Sequence, residues 1–127
     1  MSALVVDTSA WIRFFEGETI PPLEEALREA RVVLTPIVLA ELMSGVETIR
    51  ARADLLDFLG DLHLHLPNRE HWVAVGDMRR RLKRRGIRIS TPDAHIAQCA
   101  IDLDAQLISY DHVFAKAAVL LSLHLIA

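Results

Sequence analysis

Short apolar, β-branched runs that stop at a capping residue, with helical spacing taking over at once, constrain this chain more than any other feature. Ala3 to Val6 runs into Asp7, Thr8 and Ser9, Arg31 to Leu34 stops at Thr35 and Pro36, and Gln106 to Ser109 gives way to Asp111. Each reads as a buried strand handing over to a helix. Helix is predicted from about Ala10 to Glu16, through Leu23, Ala26, Leu27 and Ala30, from Pro36 to near Gly45, and from Glu47 to Leu59 with Gly60 closing it. Leu62 to Leu66 alternates Leu and His, which predicts a short strand with one wet face. Pro67 and Asn68 open a long helix through Trp72, Val75, Met78 and Leu82, which Gly86 ends. Ser90, Thr91 and Pro92 start another that runs to about Leu103; His112 to Ala118 is a short helix and Leu120 to Leu125 a final strand. Parallel neighbours need such crossovers. The prediction is an α/β domain whose mostly parallel central sheet of four to five strands is flanked by helices.

A chain of 127 residues can bury one core and not two, so residues 1–127 are expected to form a single domain. Its 52% hydrophobic and 24% charged residues argue against disorder. The longest apolar stretches, Ile37 to Ala40 and Ala117 to Leu123, fall far short of the roughly 20 residues of a membrane span. The opening MSALVVDTS has neither a basic region nor a cleavable apolar stretch, and the expected location is cytoplasmic. The lone Cys99 cannot form an internal disulfide.

The net charge of −3 hides an asymmetry, because seven of the fourteen Lys and Arg residues fall between Arg79 and Arg88. Such a run is either a track for phosphates or a solvated helix end that suits the macrodipole. Arg80, Lys83 and Arg84 lie at helical spacing and are expected on one face, with Met78 and Leu82 turned to the core.

Four acids stand out against this frame. Ligands of open parallel sheets bind beyond the carboxyl ends of the strands, where strand order switches. Asp7 follows the first strand and Asp111 the Leu107 to Ser109 strand, so both are expected at one edge, with Asp93 opening a helix nearby. Glu41 is the one acid in an otherwise apolar stretch from Pro36 to Met43, and a carboxylate buried there costs several kcal/mol unless paired or metal-bound. The plainer readings are helix caps for Asp7 and Asp111, a dipole-compensating acid for Asp93, and a solvent-facing edge for Glu41. Gathered carboxylates repel, and a hard divalent cation such as Mg²⁺ or Mn²⁺ resolves the repulsion. One or two such ions activate water for phosphodiester hydrolysis. Nothing in the sequence offers a zinc-type Cys/His cluster or a glycine-rich phosphate loop.

The segments LVVDTSAWI, VVLTPIVLAELMSG, TPDAHIAQCA and LISYDHVF, in that order, resemble the acidic motifs of PIN-domain ribonucleases, with greatest similarity to VapC-type toxins of toxin–antitoxin pairs. The resemblance spans nearly the whole chain. It implies that Asp7, Glu41, Asp93 and Asp111 are the metal-binding and catalytic acids, with Thr8, Ser9 and Ser109 at supporting hydroxyl positions; capping or turn formation is the other role open to those hydroxyls. It further implies Mg²⁺- or Mn²⁺-dependent endonucleolytic cleavage of RNA, a homodimer and a cognate antitoxin. Ser109 and Tyr110 stand where the family often has Thr and Arg, a departure that bears on substrate choice.

Two other acid-at-strand-end folds fit less well. A phosphoacceptor receiver domain needs an Asp after its middle strand, where this chain has Pro67 and Asn68; a haloacid-dehalogenase-like phosphatase needs an Asp at the position of Ser9. The remaining alternative is a non-catalytic PIN-like module that binds RNA or protein. His95 and Cys99, four residues apart, are read as packing, since two donors make a poor metal site. His63 and His65 are expected to face solvent, Trp11, Phe14 and Phe15 to serve the core or a dimer contact, His112 beside Asp111 is a candidate substrate contact, and Lys116 lies near the site edge without an assigned role.

Overall fold

The computed structural model describes residues 2–126. Five strands, β1 (Leu4–Val6), β2 (Val32–Leu34), β3 (His63–Leu64), β4 (Gln106–Ile108) and β5 (His124–Ile126), form one sheet in the order β3-β2-β1-β4-β5, with every pairing parallel. Among the described residues seven helices supply the crossovers: α1 (Thr8–Phe15), α2 (Pro21–Arg28), α3 (Pro36–Ser44), α4 (Ile49–Gly60), α5 (Arg69–Arg84), α6 (Thr91–Asp102) and α7 (His112–Ala118). Strands covered on both faces read as continuous apolar runs, and β1 and β2 are buried at every position. The α/β prediction therefore holds, and the sheet is parallel throughout.

Local chemistry sets the boundaries. Thr48, Asn68 and Ser90 each accept a backbone N–H of the following turn, starting α4, α5 and α6. After α5, Gly86 takes φ +79°, its N–H reaching the Lys83 carbonyl and the Ile87 N–H that of Leu82, a left-handed stop that glycine permits cheaply. Gly60, expected to close α4, is instead its last helical residue, and Asp61 follows in right-handed conformation. The Leu62 to Leu66 strand shrinks to His63 and Leu64, which pair with Val33 and Leu34, and the strand expected over Leu120 to Leu125 is shorter and later, His124–Ile126, matching the three residues of β4.

The inner stripe of α5 differs by one residue from the expected one. His71, Val75, Met78 and Leu82 point inward, while Trp72 is 42% exposed. The partner face belongs to α6, in which Ala94 to Ala100 are all buried and three alanines let the helix lie close under its neighbours. Among the described residues no helix is long and apolar enough to cross a membrane.

Candidate active site at the switch in strand order

β1 is followed in space by β2 on one side and β4 on the other, so the crevice beyond β1 and β4 is the switch point of the sheet. Asp7 stands there, 5% exposed, its N–H donated to the Ile108 carbonyl at 3.0 Å. It begins α1 but its side chain makes no capping bond. Instead one oxygen, Oδ2, accepts the Ser9 and Ser109 hydroxyls, each at 2.7 Å. Those hydroxyls have one proton each and spend it on Asp7. Their lone pairs take the backbone N–H groups of Tyr110 and Asp111, both at 3.0 Å. The two serines thus stitch the turn after β1 to the turn after β4 through the Asp7 carboxylate, and neither caps a helix.

Asp111 lies at the same edge and does cap, its Oδ1 accepting the Val113 N–H at 3.1 Å; the other oxygen is left over. Glu41 is exposed, contrary to the buried environment inferred from its apolar neighbours. Val38 and Leu42 form the inner face of α3, while Glu41 faces outward and accepts the Thr8 hydroxyl at 2.8 Å. Asp93 sits in the first turn of α6, its N–H donated to the Ser90 hydroxyl.

The electrostatics join the four. Burial pushes the Asp93 carboxyl above its ordinary 3.8; the hydrogen bond with Ser90 opposes this, and the charges of Asp7, Asp111 and Glu41 push further upward. Every other acid of the expected set is thus felt at Asp93. The donors are hard oxygens, which would suit Mg²⁺ or Mn²⁺ and not a soft metal; among the described residues no three of these acids stand within ion-sharing distance of one another.

A consequence follows for metal-free protein. A raised folded value means the native state keeps the Asp93 proton to higher pH than the unfolded chain does, so stability falls as pH rises through the window from 3.8 to that raised value. Above it a constant penalty remains. In a chelator, Asp93→Asn should melt at or above wild type at neutral pH and lose that margin in acid. Thermal melts of both proteins across that range check this; a variant melting well below wild type at neutral pH would make Asp93 a structural start of α6 only.

Sequence reading missed Arg13. Its guanidinium lies 3.8 Å above the Tyr110 ring, beside Asp111, and a single Arg on an amphipathic helix gives no signal of this. It also missed an apolar groove of about 560 Å³ that begins at Thr8 and Glu41 and runs past Ile12, Phe15, Leu55 and Phe58. Trp11 is fully buried, as expected, at the centre of Phe14, Phe15 and Phe58. His112 and Lys116 are exposed on α7, and no contact of theirs ties them to the acids.

The basic run splits by role. Arg79 donates to the Ile89 carbonyl and Arg81 to that of Leu120, which pins both to the fold. Arg80, Lys83 and Arg84 remain exposed, Arg80 with a long 3.6 Å contact to Asp77. Arg80 and Lys83 border a hollow of about 400 Å³ that includes Ile89, one residue before the cap of the helix carrying Asp93.

A parallel α/β domain with acids set beyond the carboxyl ends of β1 and β4 belongs to the class of open-sheet folds that act at such a switch point. Within it this chain belongs to the PIN domain family, whose model matches residues 4–120. Membership in this family of nucleases makes it a hydrolase acting on nucleic acid. No curated protein matches its sequence. Among solved structures it is similar to VapBC-5 of Mycobacterium tuberculosis, described as a member of the VapBC family of toxin–antitoxin systems, at 27% identity over 99% of this chain and 98% of that one, TM-score 0.72. DNA-bound VapBC of Salmonella typhimurium (20% identity, 99% and 98% covered, TM-score 0.81) has the same fold. So does VapBC2 of Rickettsia felis bound to a promoter DNA fragment (22%, 98% and 97%, TM-score 0.80).

Proposed function

We propose that this protein is a VapC-type toxin, an endoribonuclease that hydrolyses RNA phosphodiester bonds with Mg²⁺ or Mn²⁺ held by Asp7, Glu41, Asp93 and Asp111. The observation that carries this reading is the pair of hydroxyls, Ser9 and Ser109, that hold the Asp7 carboxylate at the switch point beside the turn carrying Asp111. The ion, when bound, supplies a Lewis acid that lowers the pKa of water and neutralises charge on the leaving oxygen. The chain supplies position. Ser9 and Ser109 fix one oxygen of Asp7 and leave the other for a ligand, the Thr8 hydroxyl fixes one oxygen of Glu41, and the Val113 N–H fixes one oxygen of Asp111.

A cluster of acids repels RNA, so the substrate needs a basic guide. Arg80, Lys83 and Arg84 are that guide in this reading, supported by their exposure and, for Arg80 and Lys83, by the hollow that reaches Ile89 just before the cap of α6. The apolar groove ending at Thr8 and Glu41 is the seat of a cognate antitoxin, whose apolar segment would lie along Phe15 and Phe58 and place a basic side chain among the acids. A homodimer and a cytoplasmic location complete the proposal.

Purified protein should cleave RNA on addition of Mg²⁺ or Mn²⁺ and stop in EDTA; cleavage that continues in EDTA would refute the mechanism. The guide is tested separately on cleavage-dead protein. Arg80→Glu with Arg84→Glu should weaken RNA binding across all sequences, with a shallower dependence on salt. Unchanged affinity and slope would remove the run from the mechanism. The alternative reading, a PIN-like module that binds without cutting, requires RNA to be retained intact in Mg²⁺ and Mn²⁺.

A further inference from the structure

Packing of α5 against α6 brings together residues that are far apart in the sequence and have no part in the acidic site. His71, 3% exposed, and His95 and Cys99, both fully buried, place one donor atom each within 4.8 Å of one another. His71 Nε2 lies 2.7 Å from His95 Nδ1, and the Cys99 sulfur 3.9 Å from the same Nδ1. On the far side of His71, Asp102 Oδ2 accepts the Nδ1 proton at 2.7 Å, while Asp102 Oδ1 is held by the Gln98 amide at 2.8 Å. Such a carboxylate fixes the tautomer that leaves the Nε2 lone pair facing His95. Trp72 stacks on the His95 ring at 4.6 Å and 3°, which fixes the plane of that imidazole.

A fourth group points to a ligand independently. His65 Nε2 is buried and has no hydrogen-bond partner, although a buried imidazole nitrogen ordinarily finds one. His65 lines, with His71 and Asp102, a surface hollow of about 340 Å³ that gives a path inward. It is close enough to His71 and Asp102 for their charges to act on it.

We propose that His71, His95 and Cys99 form a binding site for a divalent transition metal of the zinc type, separate from the carboxylate site, with the unpartnered His65 Nε2 lining the hollow that leads toward it. Two imidazoles and a sulfur suit such an ion and are poor ligands for Mg²⁺, which prefers oxygen. Tetrahedral zinc with Zn–N near 2.0–2.1 Å and Zn–S near 2.3 Å sets donors about 3.3 to 3.7 Å apart. The sulfur already stands near that spacing, and the two imidazoles must part by roughly 0.6 Å. Burial and the Asp102 charge hold the Cys99 thiol proton, pushing the pKa up to about 12. As the metal–sulfur bond forms, the S–H bond breaks and the proton passes to solvent, so affinity rises with pH. The ion ties the first turn of α5 to α6, the helix whose own first turn presents Asp93.

Cobalt(II) tests this, because a thiolate ligand gives it a sulfur-to-metal charge-transfer band and tetrahedral geometry gives intense visible absorption. Cys99 is the only cysteine, so that band in wild-type protein identifies the site without any variant. Titration of metal-free protein should show it at one equivalent, with Zn²⁺ displacing it and Trp72 fluorescence falling in step. The signal should persist in Asp7→Asn, vanish in Cys99→Ala and require about 10- to 100-fold more cobalt in Asp102→Asn. No charge-transfer band, or cobalt binding that disappears with Asp7→Asn, would overturn the proposal and leave His71, His95 and Cys99 as a buried hydrogen-bonded strut.

Discussion

Asp7→Asn should lower RNA cleavage by on the order of 10³-fold or more while the protein stays folded. The substitution changes no shape and removes one charge at the most constrained point of the crevice. Its size follows from the loss of a fixed electrostatic partner in a site where reorganisation has already been suppressed. The amide carbonyl still accepts the Ser9 and Ser109 hydroxyls, so the stitch between the two turns survives and stability should change by about 1 kcal/mol at most. Single-turnover cleavage and a thermal melt, measured together, separate chemistry from folding. Activity within tenfold of wild type would remove Asp7 from the reaction; a collapsed melt would make it structural.

Trp11→Ala should destabilise the protein by about 3–5 kcal/mol. Trp11 has no exposed surface, and its ring lies 5.9 Å from Phe14, 5.6 Å from Phe15 and 5.5 Å from Phe58, so truncation leaves a cavity that α1 and α4 cannot both close. For a chain of this size that loss corresponds to a fall in Tm of roughly 10–20 °C. It reaches function because α1 begins with Thr8 and Ser9, whose hydroxyls hold Glu41 and Asp7. Surviving folded protein should therefore cleave more slowly as well. Denaturant unfolding gives the first effect, and a loss under 1 kcal/mol would show that the aromatic cluster is loosely packed.

The fold was legible because its signals are local. Val32 to Leu34 followed by Thr35 and Pro36 is a strand and a helix start whatever surrounds it, and Ser90 ahead of Pro92 marks α6 equally well. The positions of the acids followed from the same signals, since Asp7 and Asp111 are fixed by the strands they terminate. Facing is a different matter. Glu41 sits in an apolar stretch, yet α3 buries only Val38 and Leu42, so composition overstated the burial of its neighbour. One residue of rotation separates His71 from Trp72 on α5, and periodicity could not choose between them, because an aromatic ring is the ordinary occupant of such a stripe and a buried imidazole is not. That choice depended on Asp102 and His95, which lie on α6. For the same reason His95 and Cys99 read as packing, and His65, expected to face solvent, has its Nε2 enclosed. The roles of Ser9 and Ser109 were equally non-local, since each needs a partner about a hundred residues away.

Manganese binding to the unreacted protein tests the central claim most directly, because it asks whether four acids form one site without reference to any substrate. Calorimetric titration of wild type should be compared with Asp7→Asn, Glu41→Gln, Asp93→Asn and Asp111→Asn, each shown folded by circular dichroism. If the acids share the ion, every one of the four substitutions should weaken Mn²⁺ binding severalfold or more, and Cys99→Ala should leave it unchanged. Wild-type affinity retained in any of the four would contradict a shared carboxylate site and return that residue to a capping or surface role.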